Sequence, residues 1–229
     1  TLMAKAELEA KWAFNIPSVT RKIEGVSGGQ LIEVGARPNT GKTSFHASLI
    51  AGPGGFASQG AKCIILCNEE PTHRVGARYL TAAAGMTAHE VRDNFAKAKS
   101  LYEPVMNNIR IKNADGRDMA WVESICKTFK PDIIVLDMGD KFSVEGNFAR
   151  EDQALAACAI YARQIAKTYD CAVFYMSQLS ADAEGRSPSV EGQEEDSPLR
   201  HINIVKNKLN GWHGMVNVDL NYKTARYEG

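Results

Sequence analysis

The sequence predicts an α/β fold in which a mainly parallel β-sheet is flanked by helices and followed by a C-terminal β-hairpin. Two observations predict it. Strand-like apolar segments alternate with helical ones from residue 30 onwards, and the segments at 61–67 and 132–136 are apolar almost throughout. Strands covered on both faces have such continuous apolar runs, and the alternation favours parallel strands joined by right-handed crossovers.

The predicted elements follow one another in a regular order. The first strand, at 30–35, leads into a loop, and a helix follows at 42–50. Pro131 ends a later helix, because proline cannot continue it. Near the C terminus, Asn210 and Gly211 predict a tight turn between two strands. Strands are predicted at 61–67, 109–112, 132–136, 171–176, 201–205 and 214–220, and helices at 71–85, 88–99, 118–129 and 150–167.

The first residues predict one more helix. Residues 3–14 are good helix formers, and their apolar side chains could form one face that packs on the domain or on a neighbouring chain. Pro17 and the glycine-rich segment 25–29 interrupt the pattern. We therefore expect a linker helix within residues 1–15 and a single domain over residues 16–229.

Composition restricts the class of protein. The 229 residues include 27 basic and 27 acidic ones, a balance that argues against a polybasic nucleic-acid binder but not against nucleic acid held by a few local charges. No apolar run reaches the roughly 18 residues of a membrane-spanning helix, so no membrane association is expected. The five cysteines lack zinc-site or redox-pair spacing, so buried free thiols in a reducing cytoplasm are expected.

The strongest functional signal is a phosphate-binding loop at residues 36–43, between a predicted strand and a predicted helix. A tight turn capped by a helix N-terminus turns several backbone N–H groups towards a polyphosphate. Gly41 allows close approach of the backbone, Lys42 places a positive charge on the outer phosphates, and the Thr43 hydroxyl can bind Mg²⁺. We therefore predict binding and hydrolysis of ATP, or of another NTP or dNTP, with Mg²⁺. The expected nucleotide-binding residues are Ala36, Arg37, Pro38, Asn39, Thr40, Gly41, Lys42, Thr43 and Ser44.

Polar residues at the ends of three further strands predict the rest of a catalytic site. Asp137 ends an apolar strand, and the carboxyl ends of parallel strands meet at one edge, so Asp137 and Thr43 are expected to bind Mg²⁺. Glu69 or Glu70 could polarise the attacking water, or both could only complement the dipole of the next helix. Gln178 could contact the γ-phosphate as a sensor.

These residues resemble the motifs of DnaB-type replicative ring helicases, whose RecA-like ATPase domain also occurs in phage helicase–primase proteins. The pair Arg37 and Pro38 inside the phosphate loop is unusual among P-loop NTPases and matches this family. The tripeptides Asn68-Glu69-Glu70 and Ser177-Gln178-Leu179 and the turn at 206–211 also match, and the resemblance extends over residues 14–228.

The resemblance implies a mechanism shared between subunits. Glu69 would be the catalytic glutamate, Lys42 would act on the phosphates and Gln178 would sense the γ-phosphate. Lys206 and Lys208 would reach the nucleotide of the next subunit. The family works as a homo-oligomer, a hexameric ring that moves along single-stranded DNA. Primase and other replication proteins are the implied partners, in the cytoplasm of a bacterial cell or of a phage-infected host.

The chain departs from the family pattern at several points. Lys208 stands where an arginine is expected, so either it acts as a point charge or a basic residue such as Arg200 assists. Leu220 stands where relatives often stack an aromatic ring on the base, with Tyr222 and Tyr227 close in sequence. The region that carries the family's DNA-binding loop is short. The DNA contacts are assigned to Lys141 and Arg186.

Three other classes of protein remain open at this point. Another RecA-like oligomeric ATPase, such as a recombinase or a KaiC-like protein, would form filaments on DNA or would work without DNA. A P-loop kinase acting on a small molecule would want an arginine-rich lid and an acceptor-binding aspartate. A non-catalytic, nucleotide-gated assembly protein would not need both Glu69 and Asp137.

Overall fold

The computed structural model describes residues 10–179, 197–207 and 211–229. Two of the predicted site residues, Arg186 and Lys208, lie outside these ranges, as do the first nine residues of the predicted N-terminal helix region. Within the described ranges, none of the helices combines the length with the apolar composition that a membrane crossing requires.

The helices and strands alternate along the chain. The strands are Trp12–Ala13 (β1), Gly25–Val26 (β2), Leu31–Ala36 (β3), Cys63–Cys67 (β4), Ile109–Asn113 (β5), Ile133–Asp137 (β6), Ala172–Gln178 (β7), Leu199–Ile204 (β8), Gly214–Asn221 (β9) and Arg226–Glu228 (β10). The helices are Pro17–Thr20 (α1), Lys42–Ala51 (α2), Thr72–Ala84 (α3), Ala88–Asp93 (α4), Phe95–Met106 (α5), Met119–Phe129 (α6) and Glu151–Tyr169 (α7), and a 3₁₀ turn covers Gly139–Lys141.

Five parallel strands form the central sheet, in the order β3–β7–β6–β4–β5. Every residue of β4 and β6 is buried, as their continuous apolar runs predicted. Successive side chains of a strand point to opposite faces, so Ile64 joins the core under α6 and α7 while Ile65 joins the core under α2 and α3. The predicted parallel sheet flanked by helices is confirmed. The five cysteines are free and buried, also as predicted.

The predicted helix at 88–99 is in fact two helices, α4 and α5. Asn94 leaves the helical conformation, with φ −138° and ψ 58°, and its side chain accepts a hydrogen bond from the Lys97 backbone N–H at the start of α5. Thr87 and Glu90 form a reciprocal capping box at the start of α4. Because asparagine satisfies free N–H groups at helix starts, capping overrides the continuous helical pattern here.

The predicted N-terminal helix is wrong at its C-terminal end, where Trp12–Ala13 is a strand. This strand pairs antiparallel with Gly25–Val26. Phe14, which follows it, is buried, and its ring centroid lies 5.8 Å from that of Phe56. Burial of large aromatic side chains in the main core outweighs the weak helix preference of this segment. The division into a linker at 1–15 and a domain at 16–229 stays a prediction.

The C-terminal hairpin is confirmed and belongs to a three-stranded antiparallel sheet, in the order β10–β9–β8. The third strand, β10, was not predicted. It packs beside the end of α3, where the Arg226 guanidinium donates hydrogen bonds to the backbone carbonyls of Ala82 and Ala83 at 2.7 and 3.0 Å. Val218 and Leu220 from β9 are buried in the core that α2 and α3 share. The small sheet is therefore tied to the helices that flank the phosphate loop.

A carboxylate on α6 joins this helix to α7. The hydroxyls of Tyr161 and Tyr169 each donate to Glu123 at 2.7 Å, and the Lys127 ammonium lies 3.1 Å from it. These contacts lower the pKa of Glu123 from 4.5 to about 2. The ionised carboxylate therefore stabilises the fold above pH 4.5, and this contribution is lost as the pH falls towards 2.

We predict that Glu123→Gln lowers the free energy of unfolding at pH 7 by about 1–2 kcal/mol, a value already reduced for solvent screening of a partly exposed group. Urea denaturation at pH 7 and pH 4 measures it, and the difference from the unmodified protein should shrink at the lower pH. Glu103→Gln, on an exposed face of α5, is the control and should change little. Equal destabilisation by both variants would contradict the role of the tyrosine contacts.

Candidate nucleotide-binding site

The carboxyl ends of four parallel strands bring the predicted site residues to one edge of the sheet. Ala36 at the end of β3 pairs with Gln178 at the end of β7. Cys67 at the end of β4 pairs with Asp137 at the end of β6, and Glu69 follows β4 by two residues. Residues that are far apart in sequence thus meet beside the phosphate loop, in the crevice where open α/β sheets bind ligands.

The phosphate loop connects β3 to α2 with a backbone that suits an anion. Asn39 and Gly41 adopt left-handed conformations, with φ of 59° and 96°. The Thr40 hydroxyl donates to the Arg37 carbonyl at 2.7 Å, which closes the turn. Lys42 begins α2, so the first N–H groups of the helix face the space above the loop. This is the arrangement that binds phosphate groups.

The C-terminal sheet supports the loop from below. The Tyr227 hydroxyl lies 3.3 Å from the Thr40 carbonyl oxygen and 3.4 Å from that of Gly41, as a donor. Burial raises the pKa of Tyr227 to about 12, so the phenol keeps its proton. A Cβ atom at Gly41 would lie 2.6 Å from a Leu220 methyl group, so glycine is required both for the space and for the positive φ.

Two of the residues considered for base stacking are therefore structural supports. Leu220 is 1% exposed and Tyr227 is 8% exposed, and both lie against the loop backbone. Tyr222 differs, because 43% of its surface is exposed. Of the three side chains considered, only Tyr222 is open to a nucleotide base. Composition and spacing alone could not separate these three positions.

Arg200 is engaged within its own chain. Its guanidinium donates to the carbonyls of Ser197 and Leu199, both at 2.6 Å, and to the Thr40 carbonyl at 3.4 Å. The same group lies 4.9 Å from the centre of the Tyr222 ring. Only 8% of Arg200 is exposed, which argues against the expectation that it assists across a subunit interface. It instead joins β8 to the phosphate loop.

Asp137 is buried at the end of β6 in a strongly polar environment. Burial disfavours its ionised form, but His46, Lys42 and Arg78 together favour that form more, so the pKa of Asp137 is held below its ordinary value. The nearest contact is His46, whose Nε2 lies 3.5 Å from Oδ2. An ionised carboxylate close enough to Lys42 for this electrostatic effect is what a magnesium-binding aspartate requires.

The residues present fit a magnesium ion held with a nucleotide. Asp137 Oδ1 is a buried atom without a hydrogen-bond partner among the described residues. Thr43 provides a hydroxyl in the first turn of α2. Mg²⁺ prefers oxygen ligands and often takes only one or two from the protein, because phosphate oxygens and water complete its coordination.

The two glutamates after β4 differ in environment. Glu70 accepts a hydrogen bond from Arg78 at 2.6 Å and is half-buried, whereas Glu69 is exposed. In the described ranges, no basic side chain forms an ion pair with Glu69. Glu69 is thus the glutamate that is free to contact a water molecule, and Glu70 anchors the start of α3.

Asn68 fixes the relative position of these strand ends, a role that sequence reasoning missed. Its side-chain amide donates to the Met138 carbonyl at 3.1 Å and accepts from the Met138 N–H at 3.0 Å. Its backbone N–H donates to the Asp137 carbonyl at 2.9 Å. A polar residue at the end of an otherwise apolar strand was the available signal.

Gln178 lies beside the phosphate loop and is tied to the turn after β6. Its backbone N–H donates to the Asp140 carboxylate at 3.1 Å, and the Leu179 N–H donates to the Ala36 carbonyl at 3.1 Å. Lys141 follows Asp140 in the same 3₁₀ turn and is exposed. Lys206 is exposed beyond the end of β8.

Comparisons with known proteins agree with this architecture. A family model described as DnaB-like helicase C terminal domain matches residues 14–196. Among solved structures, a DnaB-like replicative helicase studied for its interactions with primase is similar, with a TM-score of 0.81 and 17% identity over 99% of this chain. This chain spans 63% of that protein.

A second similar structure is an ATPase domain solved by itself. It has a TM-score of 0.79 and 16% identity, and the match covers 100% of this chain and 95% of that one. At these identities the two structures show a shared fold. No curated protein matches the sequence.

Proposed function

The chain belongs to the family of DnaB-like helicase C-terminal domains, and from that premise we propose that it is the ATP-driven motor domain of a replicative DNA helicase. One observation supports this most directly. An exposed, unpaired Glu69 and a buried, ionised Asp137 lie at the same sheet edge as an intact phosphate loop. Nucleotide binding alone would not need this pair of carboxylates.

Each residue of the proposed site has a separate task. The N–H groups at the start of α2 and the Lys42 ammonium bind the outer phosphates of ATP. Thr43 and Asp137 hold Mg²⁺, which when bound with the nucleotide neutralises phosphate charge. Glu69 accepts a proton from a water molecule as the water oxygen attacks the γ-phosphorus, and ADP leaves.

The sensor in this proposal is Gln178. Its side chain contacts the γ-phosphate, while its backbone is bonded to Asp140 in the turn that follows Asp137. Loss of the γ-phosphate would therefore be transmitted to the exposed turn that carries Lys141. Lys141 and Arg186 are proposed to contact single-stranded DNA, which would couple hydrolysis to movement along the strand.

The proposed assembly is a homo-oligomeric, hexameric ring in the cytoplasm of a bacterial cell or a phage-infected host. Lys206 and Lys208 follow β8, the strand that Arg200 joins to its own phosphate loop. We propose that both lysines contact the nucleotide of the adjacent subunit. Primase is a proposed partner, because one structurally similar helicase was studied for its interactions with primase.

ATPase measurements with and without single-stranded DNA, combined with negative-stain imaging, test this function. We expect DNA to raise turnover and the images to show closed rings. Lys42→Ala serves as the control for contaminating ATPase. Filaments on DNA would instead indicate a recombinase, and turnover that ignores DNA would indicate a KaiC-like ATPase.

A further inference from the structure

Three buried polar side chains form a continuous chain behind the candidate magnesium site. Tyr79 on α3, His46 on α2 and Asp137 at the end of β6 are 0%, 1% and 1% exposed. The Tyr79 hydroxyl oxygen lies 2.9 Å from His46 Nδ1, and His46 Nε2 lies 3.5 Å from Asp137 Oδ2. Buried polar groups are costly unless they are paired, so this arrangement calls for an explanation.

The chemistry of the three groups sets the direction of these contacts. Burial raises the pKa of Tyr79 well above its ordinary value, so the phenol keeps its hydrogen and can donate it to Nδ1. Nε2 then carries the ring hydrogen and turns it towards Oδ2. An unprotonated Nε2 would set its lone pair against those of the carboxylate, which is unfavourable.

The contact engages one oxygen of Asp137 and leaves the other. Oδ2 faces His46, whereas Oδ1 has no hydrogen-bond partner among the residues that the structure describes. A carboxylate that lacks the histidine could rotate about its Cβ–Cγ bond and present either oxygen. We propose, on the basis of the proposed function, that Tyr79 and His46 are positioning residues that hold Asp137 with Oδ1 turned towards magnesium and nucleotide.

The position of Tyr79 extends its influence to the candidate catalytic glutamate. Tyr79 lies on α3, which begins directly after Glu69, Glu70 and Pro71. Its neighbour Arg78 holds Glu70 at 2.6 Å. One helix therefore anchors the segment that carries Glu69 and also, through His46, the orientation of Asp137. The two carboxylates of the site are positioned by adjacent residues of α3.

Metal binding in the presence of ADP provides the test, because it does not depend on turnover. Mn²⁺ replaces Mg²⁺ and is followed by electron paramagnetic resonance, and a fluorescent ADP analogue measures nucleotide affinity without metal. His46→Leu fills the site without a donor and should weaken Mn²⁺ binding about tenfold, as loss of an outer-shell partner commonly does. Metal-free nucleotide affinity should stay unchanged.

Further variants separate positioning from packing. Tyr79→Phe removes one oxygen atom and should weaken Mn²⁺ binding in the same direction but less. His46→Gln restores a donor and should recover part of the affinity. Tyr102→Phe removes a partly buried phenol that lies near Tyr79, and it should leave Mn²⁺ binding unchanged.

The outcomes distinguish this inference from the proposed function. Normal Mn²⁺ affinity in folded His46→Leu and Tyr79→Phe proteins would overturn the positioning role alone. Equal losses of metal-dependent and metal-free nucleotide binding would also overturn it, because they would indicate a packing role. If the unmodified protein fails to bind Mn²⁺ with ADP, the proposed function itself fails.

Discussion

Replacing Glu69 by glutamine is expected to leave ATP binding intact and to lower the rate of hydrolysis roughly 10²–10³-fold, the usual contribution of a general base. Glutamine keeps the shape of the side chain but cannot accept the proton of the attacking water. Glu69 is exposed and unpaired among the described residues, so the substitution should not disturb the fold. Steady-state turnover and fluorescent-nucleotide binding measure the two effects separately.

Glu70→Gln is the matched control for this experiment. It makes the same chemical change at the adjacent residue, but Glu70 accepts a hydrogen bond from Arg78 and so has a structural role. We expect a small loss of thermal stability and turnover close to that of the unmodified protein. If Glu70→Gln abolished turnover while Glu69→Gln did not, the assignment of the two glutamates would have to be exchanged.

Lys208→Ala is expected to abolish the DNA-stimulated ATPase, with a loss of at least about 10²-fold. A cation that reaches the transferred phosphate from a neighbouring subunit stabilises the transition state, and arginines in this role contribute about 10³–10⁵-fold. Lysine lacks the bidentate geometry of arginine, so the smaller figure is expected. Lys223→Ala, at an exposed residue after β9, is the control and should retain the stimulated rate.

Mixing two inactive variants tests whether Lys208 acts between subunits. Lys42→Ala subunits keep Lys208 but lack the phosphate-loop lysine, whereas Lys208→Ala subunits have an intact phosphate loop. In a mixed ring, some interfaces combine an intact loop with an intact Lys208, so part of the activity should return. A mixture that stays inactive although the subunits co-assemble would place the action of Lys208 within its own chain.

Much of the fold and of the site could be predicted because the relevant signals are local. The apolar run Ile133–Asp137 is buried on both faces and ends in the carboxylate that lies near Lys42. The order of glycine, lysine and threonine at the start of α2 predicted the phosphate loop. Local signals failed at Trp12, where core burial produced a strand, and at Asn94, where a cap divided a helix.

Sequence alone therefore determined the alternation of strands and helices, the phosphate loop and the polar residues at the strand ends. Each depends on residues that are close together in the chain, so periodicity and spacing reveal them. Only the tertiary structure decided the roles of Tyr227, Arg200 and His46. Tyr227 supports a loop 187 residues before it, Arg200 contacts one 160 residues before it, and His46 meets a tyrosine 33 residues after it. Such contacts depend on how the two sheets and the helices pack, and no local pattern encodes that packing.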